Sequence, residues 1–238
     1  MKKDIVGAMA KEREYLSYRM KGEEPYHWAD AVKEYGFESL KEYFDAKRDY
    51  EFAQVKFEVV EVPTPEEYTD YLFAKINAKK NSLILCDAKE TVIANGHGSN
   101  FDVDYCNECG FKIVPLYSSG GAIVFTDGDL AVGLVINKEA GFETQYLVKK
   151  VIEIISKYTT KTVERSGNDI LVDGKKVSGS TTYNQNGMIA IIFNLSFSDK
   201  TELISKVCTK HSAKQPGYID FMTREDFKRE AKEWLTAR

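Results

Sequence analysis

Three two-residue turns, Asp127-Gly128, Asp173-Gly174 and Asn186-Gly187, constrain most strongly what the second half of this 238-residue chain can become. Asp-Gly and Asn-Gly between β-rich runs are strong hairpin signals, because the tight primed turns need positive φ at their central residues. "GGAIVF" and "DLAVGLVI" flank the first turn, "NDILV" and "KKVSGS" the second, and the run "MIAIIF" follows the third. Hairpins force neighbouring strands to run antiparallel, so this half predicts a largely antiparallel sheet.

The remainder alternates between the two periods. Up to Gln54 the chain is charged, tyrosine-rich and helix-forming, broken at Gly22, Pro25 and Gly36, which predicts short helices over residues 4–20, 27–34 and 38–53. Phe37, Leu40, Tyr43 and Phe44 recur at helical spacing, so one face of the third helix needs a packing partner, expected in the main domain. From Val55 the pattern changes. "VKFEVVEV" alternates like a strand, and "TPEEYTDYLFAKI" opens a helix with Thr64 as cap, Pro65 in the first turn and Glu67 three residues after the cap. "SLILCDA", "TVIANG" and "FKIVPLY" read as strands, "DVDYCNEC" as a short helix ended by Gly110. Tyr146, Leu147, Val151, Ile154 and Ile155 mark a longer helix, and residues 223–235 a capped terminal one. The expected class is α+β: a mixed, mostly antiparallel sheet with helices on its outer face, spanning residues 55–238 after a helical extension over 1–54.

Composition narrows the class of function. With 43% hydrophobic and 29% charged residues the chain is an ordinary globular one, and its longest apolar runs fall far short of the ~20 residues that cross a bilayer. A net charge of -4 argues against nucleic acid as a general partner. Four cysteines make no disulfide framework, which with the charged N-terminus predicts a cytoplasmic location and no membrane partner.

Several constellations could carry chemistry. Ser118, Ser119, Gly120 and Gly121 stand at the mouth of a strand, where bare backbone can approach a phosphate or carboxylate; a flexible turn is the other reading. "ANGHGSN" lacks the spacing of a Walker loop or a dinucleotide fingerprint, and its His97 reads as a surface turn residue. The Asp173-Gly174 hairpin should bring Asn168 and Asp169 next to Gly179 and Ser180, and alternation sends Lys175 and Lys176 to opposite faces. An inward lysine would need Asp169, or a bound carboxylate or phosphate, while a solvated turn lysine needs nothing. "CNEC" at Cys106 and Cys109 has half a zinc site's spacing without a second pair, and reads as a coincidence of one helix. Cys208, three residues before His211, is a candidate nucleophile with no evident orienting third group.

Three stretches in this order resemble the lipoate-protein ligase family, the catalytic domain shared with biotin ligases and octanoyltransferases. "VIANGHGSN" is similar to the family's Val-Ile-Gly-Arg-x-Gln-Asn turn. "VPLYSSGGAIVFTD" is similar to Arg-Arg-x-Ser-Gly-Gly-Gly-Ala-Val-x-His-Asp, and "GNDILVDGKKVSGS" to Asn-Asp-x-x-x-x-Gly-x-Lys-x-x-Gly-Ser. The resemblance implies ATP-dependent activation of lipoate or a related carboxylic acid as an acyl-adenylate, then transfer to a lysine of an acceptor protein. Lys176 matches the family lysine that contacts acyl carbonyl and phosphate. Asn168 and Asp169 match the pair near the adenylate, with Asp169 expected to help hold Mg²⁺. Ser119, Gly120, Gly121, Gly179 and Ser180 join the substrate- and nucleotide-binding set. An ATP-independent octanoyl or lipoyl transferase and a non-catalytic acid-binding protein remain alternatives on the same scaffold.

The chain also departs from the pattern. Leu116 and Tyr117 stand where the family carries two arginines, Ala122 replaces the third glycine, and Thr126 replaces the histidine. Losing two guanidinium groups removes fixed positive charge from a site meant for polyphosphate and carboxylate, so either another basic group substitutes, or the substrate is unusual, or activity is lost.

Overall fold

The computed structural model describes residues 2–96, 100–115, 121–138, 142, 144–209 and 214–236. The chain divides into two compact units between Val55 and Lys56. Among the described residues no helix is long and apolar enough to cross a membrane.

The N-terminal unit is built from α1 (Ile5–Met20), α2 (Trp28–Glu34) and α3 (Leu40–Ala53). Asp4 and Ser39 cap the first and third by accepting from the amides of Gly7 and Glu42, which satisfies donors that have no partner inside the helix. The helical face of α3 finds its partners within this unit. Phe37 and Tyr43 are buried with Ala8, Trp28 and Val32, and Tyr43 meets Trp28 and Phe37 edge-on with ring centroids 5.4 and 5.5 Å apart. The buried Tyr43 hydroxyl donates to Glu12 at 2.9 Å, and Lys47 neutralises the same carboxylate. Phe44, expected on the same buried face, is exposed.

The second unit has the α+β architecture that the turn and period pattern predicts. Its elements are β1 (Glu58–Val62), α4 (Pro65–Asn77), β2 (Ser82–Asp87), β3 (Val92–Asn95), α5 (Val103–Glu108), β4 (Lys112–Pro115), β5 (Ile123–Phe125) and β6 (Leu130–Asn137). Then come α6 (Thr144–Ser156), β7 (Val163–Ser166), β8 (Asp169–Val172), β9 (Lys175–Gln185), β10 (Met188–Leu195), α7 (Thr201–Val207) and α8 (Arg224–Thr236). Seven strands form one sheet in the order β1-β2-β6-β10-β9-β8-β7, antiparallel except for β1 and β2, which α4 connects; β4-β3-β5 form a second, smaller sheet. Tyr68, Leu72 and Ile76 of α4 pack into a core with Ile84, Val135, Ala190 and Ile192 of the larger sheet. Gly133 lets the sheet approach α4 closely, since a Cβ there would stand 2.4 Å from the Tyr68 hydroxyl.

Two of the three turn dipeptides make hairpins and one does not. Asp173 and Gly174 both have positive φ (48° and 76°), as do Asn186 and Gly187 (54° and 77°), and each pair joins adjacent antiparallel strands, β8 to β9 and β9 to β10. At Asp127-Gly128 only the glycine has positive φ. The chain still turns, with the Asp129 amide bonded to the Thr126 carbonyl at 3.0 Å, but β5 joins the small sheet and β6 the large one. The reason is occupancy: β6 is buried and paired on both sides, by β2 and β10, so no edge is left for β5. The expected hairpin is thus a bridge between two sheets.

Gly174 has nothing within 4 Å of a Cβ built on it, so replacing it tests backbone strain alone. Gly174→Ala is expected to lower stability by about 1 kcal/mol, the cost of a left-handed L-residue, read as a shifted urea midpoint with an unchanged slope.

Candidate functional site

The β8–β9 hairpin carries a defect that decides where Lys176 points. Asp169 faces Gly179 and Ile170 faces Ser178, but Leu171 faces Lys176, so Val177 is an extra residue on β9. Residues opposite one another share a face of the sheet, and Asp169 and Leu171 lie on one face of β8. The bulge therefore moves Lys176 onto the Asp169 face, where an unbroken register would have left it on the other. Lys176 Nζ lies 2.9 Å from Asp169 Oδ1. Lys175 is exposed, as expected of the solvated member of the pair.

The partner strand closes the same corner. The Ser180 amide and hydroxyl both donate to the Asn168 carbonyl, at 2.7 and 2.8 Å, which fixes the start of β8 against β9. Gly179 is bare next to the ion pair: a Cβ there would stand 3.5 Å from Lys176 Nζ and 3.6 Å from Asp169 Oδ1. A third residue was not legible in the sequence. Lys214 Nζ lies 2.7 Å from Asp169 Oδ2 and donates to the Ser166 carbonyl at 2.6 Å. Burial works to raise the Asp169 carboxyl, but hydrogen bonds from Lys176 and Lys214 outweigh it and hold the group below its ordinary value.

These groups line one cleft of about 770 Å³. Gly121, Asn168, Asp169, Lys176, Gly179 and Ser180 all reach it, and Ile123, Val124, Val177 and Ile204 give it apolar surface. Ser119 and Gly120, with Leu116, Tyr117, His97 and His211, lie outside the described residues. Among the described residues a Cβ at Gly121 would meet nothing within 4 Å, so no crowding there requires a glycine.

A second cation sits deeper. Lys200, at the start of α7, is 9% exposed and bonds the Val124 carbonyl at 2.7 Å and Asp129 Oδ2 at 2.5 Å, where Asp129 is fully buried. Asp129 also accepts from the Thr126 amide at 2.9 Å, so the turn that failed to be a hairpin serves as the anchor of this pair. Burial pushes the Lys200 ammonium below its ordinary value, with Asp129 pulling the other way. Thr126, in the position of the family histidine, is spent on holding Asp129 and Ser198.

Two other sequence candidates resolve differently. Cys106 is buried against Ile93, Val124 and Val207, whereas Cys109 is exposed, so the two thiols do not share an environment. Cys208 lines the cleft, but burial pushes its thiol up against the pull of Lys176 and Lys200. Asp169 was expected to hold Mg²⁺. Both its oxygens are engaged by ammonium groups, and it is the one carboxylate lining the cleft among the described residues. A hard dication needs several oxygen ligands and is repelled by two lysines at this range, so the donor set does not fit a protein-held Mg²⁺.

Residues 63–221 match the family of lipoyl protein ligase A/B catalytic domains, and the chain belongs to that family. Among solved structures it is similar to LipL1 of P. falciparum in complex with lipoate, at 14% identity and a TM-score of 0.66, over 76% of this chain but 61% of that one. It is similar to a chain from the structural analysis of an archaeal lipoylation system, a bi-partite lipoate protein ligase and its E2 lipoyl domain from Thermoplasma acidophilum, at 14% identity and a TM-score of 0.61 over 76% and 82% of the two chains. A lipoate-protein ligase A bound with ATP aligns at 12% identity and a TM-score of 0.59, over 76% and 84%. At these identities the likeness is one of fold. No curated protein matches the sequence.

Removing one partner of a buried ion pair leaves the other charge stranded. Asp129→Ala is expected to cost about 3–5 kcal/mol in urea unfolding, because Lys200 then has no counter-ion. Asp169 makes a pH-dependent contribution. Its folded value is depressed from 3.8, so its stabilisation is complete above that value and is lost as pH falls through the folded one. The stability gap between wild type and Asp169→Asn should be constant from about pH 7 to pH 5 and shrink below about pH 4. A gap that widened on acidification would contradict the ion-paired geometry.

Proposed function

We propose that the chain is an ATP-dependent ligase that activates lipoate or a related carboxylic acid as an acyl-adenylate and transfers the acyl group to a lysine of an acceptor protein. The observation that carries this reading is the bulge that turns Lys176 onto the Asp169 face of a cleft holding both polar and apolar surface. An aliphatic acid fits such a lining, with its chain against Ile123, Val124, Val177 and Ile204 and its carboxylate toward Lys176. The lipoate-bound and ATP-bound relatives, and the one described together with its E2 lipoyl domain, support the three classes of partner that the reading needs.

In the first step a carboxylate oxygen forms a bond to the α-phosphorus of ATP and the bond to pyrophosphate breaks. The Lys176 ammonium, held by Asp169, is a fixed positive charge for the oxygens that gain negative charge there. Gly179, with no side chain beside that ammonium, leaves room for the reacting group to approach. In the second step the neutral amine of the acceptor lysine attacks the acyl carbon, AMP leaves, and the amine proton passes to solvent. The apolar lining keeps water from competing for the activated acyl group. Transfer through Cys208 is disfavoured, because a thiol pushed up by burial is mostly unionised near neutral pH.

The test is pyrophosphate release from ATP-Mg²⁺ in the presence of lipoate, octanoate or biotin, followed by mass analysis of an acceptor lipoyl domain. Acid-dependent release is expected, falling about 100-fold or more in Lys176→Ala with native stability retained. Release that is absent for every acid, or equal in Lys176→Ala, would sink the reading. Calorimetric binding of an acid by a chain that ignores ATP would identify the non-catalytic alternative.

A further inference from the structure

Lys200, Ile204 and Cys208 recur every fourth residue from one end of α7 to the other, so they share one side of it, and all three line the cleft. Lys200 is the buried member, with a side chain 7% exposed. Its Nζ donates to the Val124 carbonyl at 2.7 Å and to Asp129 Oδ2 at 2.5 Å, and among the described residues it has no other acceptor. An ammonium carries three N–H donors, so one is left unfilled. A buried donor without an acceptor costs free energy, which an oxygen arriving with a ligand recovers. The charge of Lys200 is already matched by Asp129, so the group offers a directed donor and not a surplus charge.

Lys200 stands between two hollows, and their linings decide which of them an anion enters. The second hollow, of about 890 Å³, is walled by Asp127, Asp199 and Glu202, and its Lys206 is already bonded to Glu202 at 2.7 Å. Carboxylates in that excess repel an anion. The cleft side is lined by Ile123, Val124 and Ile204, and Lys176 reaches the same space. Burial chiefly, and then the charge of Lys176, press the Lys200 ammonium below its ordinary value against the pull of Asp129, so the two lysines are within electrostatic reach of each other. An apolar acid with its chain against those side chains carries two oxygens at one end, enough for both lysines.

We propose that Lys200 donates its third N–H to the carboxyl group of the bound acid, alongside Lys176. Asp129 is then a positioning residue, because it fixes Lys200 Nζ and is itself fixed by the Thr126 amide at 2.9 Å. The turn that departs from the family pattern at Thr126 thus supports a donor that the pattern does not contain. This rests on the cleft being the acid-binding site.

Replacing Lys200 alone would strand Asp129, so the pair is removed together, as Lys200→Met with Asp129→Asn. Wild type and the double variant, both as the full chain, are titrated by calorimetry with octanoate, with octanol, which has the same chain and no carboxyl group, and with AMP. The double variant is expected to bind octanoate about tenfold more weakly and to hold octanol and AMP within about twofold of wild type. A role in packing alone would weaken octanoate and octanol together. Wild type guards against a folding defect in the variant: with nitrogen-labelled lysine, octanoate should shift the Lys200 ammonium resonance and octanol should leave it in place.

Octanoate bound equally by both proteins, an equal loss for octanoate and octanol, a loss confined to AMP, or a Lys200 resonance that ignores octanoate overturns the assignment. So does a wild-type chain that binds no octanoate. If octanoate binding depends on Lys200 but no acid yields pyrophosphate, the assignment stands and the ligase reading falls. If acid-dependent pyrophosphate release is the same in both proteins, the ligase reading stands and the assignment falls.

Discussion

The extra residue at Val177 is the constraint on which the site depends. A strand presents alternate side chains to alternate faces, so Lys176 can share a face with Asp169 only if the pairing slips by one between them. The slip is held from both ends. Beyond it, Ser180 is tied to Asn168 by amide and hydroxyl; before it, the tight Asp173-Gly174 turn pins Val172 opposite Lys175. Val177 itself is buried, so the extra residue is packed into the core, and removing it would turn the lysine to the other face.

Around that hairpin the fold spends its charged groups in two different ways. Lys200 and Asp129 form a buried, nearly solvent-free pair that joins the start of α7 to the turn between β5 and β6, and so links the two sheets. Such a pair fixes geometry more than it adds stability, since both charges are desolvated. Asp169 with Lys176 and Lys214 is the opposite case: partly exposed and facing a cleft.

Much of this was legible in the sequence, and the turn chemistry shows where legibility stops. Asp173-Gly174 and Asn186-Gly187 were readable as hairpins because the residues on either side had free edges to offer one another. Asp127-Gly128 has the same letters, but its second arm is claimed on both edges by β2 and β10, strands remote in sequence. Likewise the helical spacing of Phe37 and Tyr43 announced a buried face without saying what would bury it. Lys214 carried no signal, since nothing local marks a lysine that meets a carboxylate 45 residues away in sequence.

The sequence by itself determined the α+β class, the positions of most helices and strands, and the pairing of Asn168 and Asp169 with Gly179 and Ser180, because propensity, capping and turn geometry act over a few residues. Tertiary structure alone decided the face on which Lys176 emerges, the burial of Lys200 and the arrival of Lys214. Each depends on register or on contact between distant segments, where the free energy of packing the whole sheet outweighs any local preference.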